Sequence, residues 1–129
     1  MSNQPELVLQ QKCYKWWHNT YPELRGCLWR IENERKRSKY EQMIAKSTGL
    51  VSGVADLNML YNGVFYGIEL KTETGRQSDS QAKWQRGIEA QGGKYIIIRS
   101  EDEFKEFIIE IITDTDKGLK PYEDNRTPF

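Results

Sequence analysis

The sequence is poor in the residues that most often build metal clusters, disulfide frameworks and membrane spans. It contains one histidine, His18, and two cysteines, Cys13 and Cys27, in 129 residues. This scarcity argues against zinc clusters, disulfide scaffolds and catalytic sets that need histidine. No apolar run approaches the roughly 18–20 residues of a membrane span, and the first residues lack the basic and apolar stretches of a signal peptide. We therefore expect no membrane association and a cytoplasmic location.

The chain also lacks net charge, although its charges are unevenly distributed. Positions 1–99 hold fifteen basic and ten acidic residues, and positions 100–129 hold four basic and nine acidic ones. The zero total argues mildly against a nucleic-acid partner, whereas a basic cluster in the first half favours one. That cluster consists of Arg35, Lys36, Arg37 and Lys39. Such a cluster is commonly a solvated surface, and it becomes a candidate DNA contact only if a catalytic site lies beside it.

The length and the patterning predict one folded domain over 1–113 and a polar tail over 114–129. The predicted elements are a helix over 6–19, strands over 28–31, 56–61 and 64–71, a helix over 79–91, a strand over 94–99 and a helix ending near 113. Residues 34–48 are compatible with either a helix or a loop. This order predicts an α/β fold, with a mixed sheet flanked by helices.

Periodic apolar residues indicate how the helices pack. The inner face of the last helix consists of Phe104, Phe107, Ile108, Ile111 and Ile112. We expect Trp16, Trp17 and Trp29 to serve the core rather than to stack on nucleic-acid bases. Trp84 is expected to pack its helix on the sheet. Both cysteines are expected to be reduced thiols that are partly buried.

A two-residue turn at Asn62-Gly63 sets the register of the central hairpin. Asn-Gly favours a type I′ turn, because both positions must adopt positive φ. Counting back from this turn places Asp56 directly opposite Glu69, with their side chains on the same face of the hairpin. Because side chains alternate along a strand, Lys71 shares that face. Three charged side chains are therefore predicted to converge at one end of the hairpin.

Two opposed carboxylates repel each other unless a cation lies between them. Their oxygen atoms suit Mg²⁺ or Mn²⁺. The adjacent Lys71 can then orient or deprotonate an attacking water, or neutralise charge in the transition state, as phosphodiester hydrolysis requires. The alternative is a solvated ladder of Asp, Lys and Glu ion pairs. Gly67 is expected to leave the same face open for a ligand. Gln81 lies at the start of the next helix and is expected to face the same end of the hairpin.

The candidate residues lie in short segments whose order is more specific than any one of them. The segments are Gly53-Val-Ala-Asp56-Leu57, Ile68-Glu69-Leu70-Lys71, Gly75-Arg-Gln-Ser78-Asp-Ser-Gln81-Ala-Lys-Trp84 and Gly92-Gly-Lys-Tyr-Ile-Ile-Ile98. Residues 21–22 and 31–35 have the same character. Together they resemble the VRR-NUC branch of the PD-(D/E)XK, or restriction-endonuclease-like, nucleases over roughly residues 5–112.

The resemblance implies a fold and a metal site. The fold would be a restriction-endonuclease-like αβββαβ core with a mixed central sheet. Asp56, Glu69 and the backbone carbonyl of Leu70 would bind Mg²⁺ or Mn²⁺, and Lys71 would be the catalytic lysine.

Two further residues match the family less directly. Glu6 in the first helix corresponds to an additional acidic residue that would be catalytic and could join the metal ligands. The alternative is that Glu6 only favours the positive end of that helix. Gln81 corresponds to a glutamine near the site, and it can also form a capping box with Ser78. The sequence departs from the family at Ala55, where proline is usual, and we expect this to bend the approach to Asp56 only slightly.

The first functional hypothesis is a metal-dependent DNA endonuclease. Stand-alone members of the branch resemble phage-type enzymes that act as homodimers on branched DNA such as Holliday junctions or flaps, which implies a bacterium or a phage-infected host. The second hypothesis is a catalytically silent DNA-binding or assembly module on the same fold. The third is a metal-binding regulator or a hydrolase of a small phosphorylated substrate, although no phosphate-binding glycine loop supports it.

Overall fold

The computed structural model describes residues 4–32 and 36–113 of the chain. Its elements are α1 (Gln4–Thr20), a short 3₁₀ helix (Pro22–Leu24), β1 (Leu28–Arg30), α2 (Lys39–Ser47), β2 (Leu57–Tyr61), β3 (Val64–Leu70), α3 (Asp79–Ala90), β4 (Lys94–Ile98) and α4 (Glu101–Thr113). The predicted polar tail over 114–129 lies outside the described residues. Within the described part of the chain, no helix has the length and apolar character to span a membrane.

One mixed sheet of four strands organises the molecule. The strands lie in the order β1-β2-β3-β4, with β3 and β4 parallel and the other neighbours antiparallel. The turn between β2 and β3 has φ values of 51° at Asn62 and 80° at Gly63, as a type I′ turn requires. Leu57 lies opposite Ile68. This is the predicted register. The order α1-β1-β2-β3-α3-β4 also matches the predicted αβββαβ core.

Helices α1 and α4 pack against each other and cover one face of the sheet. The core between them is formed largely by α1 residues such as Trp17, by the inward side chains of the strands and by α4. Three α4 residues at helical spacing are buried, namely Phe104, Ile108 and Ile112. The predicted inner face of the last helix is therefore confirmed, because its 3.6-residue period matches one apolar stripe.

Helix α3 covers part of the opposite face of the sheet through Trp84. The Trp84 ring contacts the rings of Phe65 and Tyr95 edge-on, with centroids 6.2 and 6.0 Å away. A Cβ added at Gly67 would lie 2.7 and 2.9 Å from two atoms of the Trp84 indole. The prediction that Gly67 leaves this face open for a ligand is therefore wrong. Gly67 lacks a side chain because the indole occupies that space.

The contact between Gly67 and Trp84 predicts opposite effects for two glycine-to-alanine changes. Gly67→Ala is expected to lower the free energy of unfolding by about 1–3 kcal/mol, because the added methyl group overlaps the indole. Gly87→Ala is expected to raise it by about 0.5–1 kcal/mol, because this position lies within α3 and has open space around it. Urea unfolding of the two variants measures both changes. Equal effects of the two substitutions would contradict the packing of Trp84 on Gly67.

Trp29 lies at the edge of the structure rather than in the core. Its side chain is 38% exposed and contacts Phe65, with a centroid distance of 6.4 Å. It also lines a groove of about 690 Å³ between α1 and β1, together with Arg30, Leu57 and residues of α1. The prediction of a core role is wrong for Trp29, because β1 is an edge strand of the sheet. It is confirmed for Trp17, which is fully buried.

Residues 39–47, whose conformation the pattern left open, form the helix α2. Ser38 and Glu41 make a complete capping box, in which each side chain accepts a hydrogen bond from the other residue's backbone N–H. None of the α2 residues is buried. The helix therefore depends mainly on local hydrogen bonds, which explains why its apolar pattern was weak in the sequence.

The two cysteines are free thiols in different environments. Cys13 is fully buried in the core, and this burial raises the pKa of its thiol to about 12. Cys27 is half-buried. Because the thiolate is the reactive form, we expect an alkylating reagent to modify Cys27 much faster than Cys13 in the folded protein and both equally in urea. Mass spectrometry of timed samples measures the two rates, and equal rates in the folded state would contradict the packing of α1.

Candidate functional site

Two carboxylates lie at the open end of the β2–β3 hairpin, where Asp56 directly precedes β2 and Glu69 lies near the end of β3. The Asp56 backbone N–H donates a hydrogen bond to Glu69 Oε1 at 3.3 Å. The Leu70 backbone N–H in turn donates to Asp56 Oδ2 at 2.9 Å. These two bonds cross between the strands and hold Asp56 and Glu69, which we call the carboxylate pair, against each other.

Glu69 is the most buried acidic side chain of the described residues, with 2% of its surface exposed. Burial is the main cause that raises its pKa, and the negative charge of Asp56 adds to the rise. The positive charge of Lys71 offsets part of it, and the resulting pKa of Glu69 is about 8. A cation would stabilise the charged form of a carboxylate in this setting, because its positive charge offsets both the cost of burial and the repulsion by Asp56.

Lys71 and Gln81 contact the same oxygen atom of Glu69. Lys71 Nζ lies 3.8 Å from Glu69 Oε2, and the Lys71 side chain is 13% exposed. Gln81 Nε2 donates a hydrogen bond of 2.6 Å to that oxygen. The other end of the Gln81 amide, Oε1, accepts from the Ser78 backbone N–H at 2.8 Å. Gln81 therefore both caps α3 and contacts the carboxylate pair. These are the two roles that the sequence allowed for it.

The segment before Asp56 packs directly on the N-terminus of α3. Gly53 has a φ of 82°, and a Cβ at this position would overlap the backbone of Ser80 and lie 2.8 Å from the Gln81 nitrogen. The absence of a side chain thus allows the chain that leads to Asp56 to reach the helix that carries Gln81. Ala55 is fully buried, and its carbonyl accepts a hydrogen bond of 3.0 Å from Asn58 Nδ2.

Glu6 is not brought into a metal-ligand cluster. It lies in the first turn of α1 and is half-buried. Within residues 4–32 and 36–113, no three His, Cys, Asp or Glu side chains form a group that could hold a metal ion. The structure therefore does not join Glu6 to the carboxylate pair in such a group. Its position does suit the other role considered, a favourable charge at a helix N-terminus.

The predicted basic cluster is only partly described, because Arg35 lies outside the described residues. Lys36 and Lys39 are exposed and Arg37 is half-buried. Lys39 is the first residue of α2, which has no buried residue. The three described residues of the cluster thus lie at or near the surface, and their contact with DNA stays a prediction.

Two residues near the site were missed by the sequence reasoning. Asn58 is 1% exposed and fixes the carbonyl of Ala55, the residue before Asp56. Arg99 donates hydrogen bonds to backbone carbonyls of the segment that follows Lys71. Asn58 gave a signal, since an amide inside a buried strand needs a hydrogen-bond partner. Arg99 gave a weaker one, because it follows an apolar strand whose parallel alignment with β3 was not known.

The residues present fit a hard divalent cation. Mg²⁺ and Mn²⁺ prefer oxygen ligands, and the carboxylate pair supplies these at the place where two negative charges otherwise repel each other. Mg²⁺ commonly keeps several waters and takes only one or two protein carboxylates, so a third acidic residue is not needed. The carbonyl of Leu70 remains a predicted ligand; its N–H already lies against Asp56.

The fold is similar to that of a solved structure described as a VRR_NUC domain protein. The TM-score is 0.71 with 15% sequence identity, over 93% of this chain and 98% of that chain. The chain therefore shares the fold of that VRR_NUC domain protein, as its sequence predicted. No protein-family model matches the sequence, and no curated protein matches it at a significant level. At this identity the likeness shows the fold, and the carboxylate pair with Lys71 carries the functional argument.

Proposed function

We propose that this protein is a metal-dependent endodeoxyribonuclease of the PD-(D/E)XK type, which hydrolyses phosphodiester bonds in DNA. The observation that carries the proposal is the contact of Asp56, Lys71 and Gln81 with the buried carboxylate of Glu69. A solvated ladder of ion pairs would not place one carboxylate at 2% exposure beside another. The similarity to a VRR_NUC domain protein supports the same activity.

Each side chain has a separate role in this proposal. Asp56 and Glu69 would hold Mg²⁺ or Mn²⁺, with the Leu70 carbonyl as a further ligand. A metal ion held there would supply polarisation of the scissile phosphate and a lower pKa for a water molecule. Lys71 orients the attacking water or neutralises the charge that grows on the phosphate. Gln81 fixes the rotamer of Glu69, because its amide is itself held by the α3 cap.

We propose DNA with branches, such as four-way junctions or flaps, as the substrate, and a homodimer as the active form. A single small domain offers little surface for two DNA strands. Two copies would supply two sites, one for each strand of a symmetrical junction. Analytical ultracentrifugation of the protein with and without a four-way junction tests this part. A strict monomer that still cuts both strands would exclude the homodimer.

The test of the activity is cleavage of a labelled panel of DNA in Mg²⁺ or Mn²⁺. The panel contains duplex, single strand, flap and four-way junction, and the proteins are wild type, Lys71→Ala, Asp56→Asn and the control Lys83→Ala, which changes an exposed lysine of α3. We expect cleavage by wild type and Lys83→Ala and its loss in the other two.

Three other outcomes of this experiment have distinct meanings. Binding of a panel member without cleavage by wild type would support the alternative, a DNA-binding or assembly module without catalytic activity. Cleavage that survives in both Lys71→Ala and Asp56→Asn would place the activity elsewhere and reject this site. Cleavage only of single strands or plain duplex would reject the preference for branched DNA while keeping the nuclease.

A further inference from the structure

The segment after Lys71 forms a turn whose carbonyl groups converge on one guanidinium group. Arg99 Nη1 donates to the backbone oxygens of Thr72 at 2.7 Å, Glu73 at 3.3 Å and Gly75 at 2.7 Å. The turn is also closed by the Gly75 N–H, which donates to the carbonyl and the hydroxyl of Thr72. Hydrogen bonds from a charged donor are roughly twice as strong as neutral ones. Arg99 therefore determines where this turn lies.

The same turn passes close to the side chain of Lys71. A Cβ added at Gly75 would lie 3.5 Å from Lys71 Cδ, so the space between the turn and the lysine stem is about the size of one methyl group. Lys71 is correspondingly 13% exposed although its ammonium group ends a long chain. The backbone of Lys71 is held from the neighbouring strand, because its N–H donates to the carbonyl of Ile98 at 3.0 Å. Arg99 is the next residue after Ile98, so one end of β4 fixes both the backbone of Lys71 and the turn over its side chain.

We propose that Arg99 is a positioning residue for Lys71, acting through the turn from Thr72 to Gly75. This inference rests on the proposed nuclease function. A lysine side chain has several rotatable bonds and loses much freedom when it is held in one place. The turn restricts the stem, so that the ammonium group stays near Glu69, 3.8 Å from Oε2. A displacement of about 1 Å can cost roughly 100-fold in rate, because reacting groups must be closely aligned.

Steady-state cleavage by Arg99→Ala, Arg99→Lys and the control Arg86→Ala tests the effect on catalysis. Arg86 is an exposed residue of α3. We expect kcat of Arg99→Ala to fall roughly 10- to 100-fold while KM changes less than about threefold, since DNA binding is not altered. We expect Arg99→Lys to retain part of the rate, and low-millimolar guanidinium ion to restore part of it to Arg99→Ala. Arg86→Ala is expected to match wild type.

Acetylation of lysines in the folded proteins tests positioning without any cleavage. In wild type, Lys71 is expected to react more slowly than the exposed Lys83, and in Arg99→Ala the rate at Lys71 should rise severalfold while that at Lys83 stays the same. Mass spectrometry of the peptides measures both rates. This measurement decides the positioning of Lys71 even if wild type cleaves no DNA, an outcome that would reject the proposed function alone.

Several results would overturn the role of Arg99. An unchanged kcat in Arg99→Ala with an active wild type would reject the positioning and leave the nuclease in place. A rise in KM alone would mean that Arg99 contacts DNA. A loss of kcat that guanidinium ion does not restore, with unchanged acetylation of Lys71, would indicate a general effect on folding.

Discussion

Glu69→Gln is expected to abolish cleavage and, in the same protein, to make the stability of the metal-free form less sensitive to pH. Loss of a metal ligand from a catalytic set should lower kcat on the order of 10³-fold or more. The stability effect has a different cause. Burial and Asp56 raise the pKa of Glu69 to about 8, so the folded protein holds a proton that the unfolded chain releases near its usual value of 4.5. The free energy of unfolding of wild type in EDTA should therefore fall as the pH rises from about 5 to 8.

Glutamine does not ionise, so the corresponding fall in Glu69→Gln should be much smaller. Thermal unfolding of both proteins in EDTA across this pH range measures the difference. Added Mg²⁺ is expected to raise the midpoint of wild type at pH 8 and to leave that of Glu69→Gln nearly unchanged. Glu73→Gln is a matched control, because Glu73 is exposed and follows the same strand. Identical pH profiles for wild type and Glu69→Gln would contradict the raised pKa.

Gly53→Ala is expected to impair stability and cleavage together. The backbone of Gly53 has a φ of 82°, and a Cβ there would overlap the backbone of Ser80. Positive φ and overlap with backbone atoms together should cost roughly 2–4 kcal/mol in the free energy of unfolding. Because relief of the overlap separates the segment before Asp56 from the helix that carries Gln81, we expect kcat to fall by at least about tenfold in molecules that remain folded.

Gly49→Ala separates the two causes of this effect. Gly49 also has a positive φ, 108°, but a Cβ there has no neighbouring atom within 4 Å. It should share the backbone strain of Gly53→Ala without its overlap, and therefore lose stability while keeping the wild-type kcat. Urea unfolding and cleavage assays on both variants measure these changes. Equal kcat values for Gly53→Ala and wild type would mean that the contact with α3 does not position the carboxylate pair.

Local signals in the sequence determined the central features of the candidate site. The Asn62-Gly63 turn specified the hairpin register, because two residues at positive φ leave one alignment of the flanking strands. Strand alternation then placed Asp56, Glu69 and Lys71 at one end. The cap of α3 could also be predicted from local sequence, because Ser78 and Gln81 have the three-residue spacing of a capping box. These contacts depend on residues near in sequence or on one fixed turn.

Packing between distant segments decided the rest. Trp84 covers Gly67, Trp29 lies at an exposed edge, and Glu6 does not join the carboxylate pair in a group of metal ligands. The Arg99 contacts join residues 24 to 27 positions apart. Composition and periodicity show which side of an element is apolar. They do not show which neighbouring element covers that side or how much of it is buried. The sequence by itself thus determined the strands and the pairing of the two carboxylates. Only the tertiary structure decided how deeply Glu69 is buried and what holds Lys71, because both depend on where α3 and β4 pack.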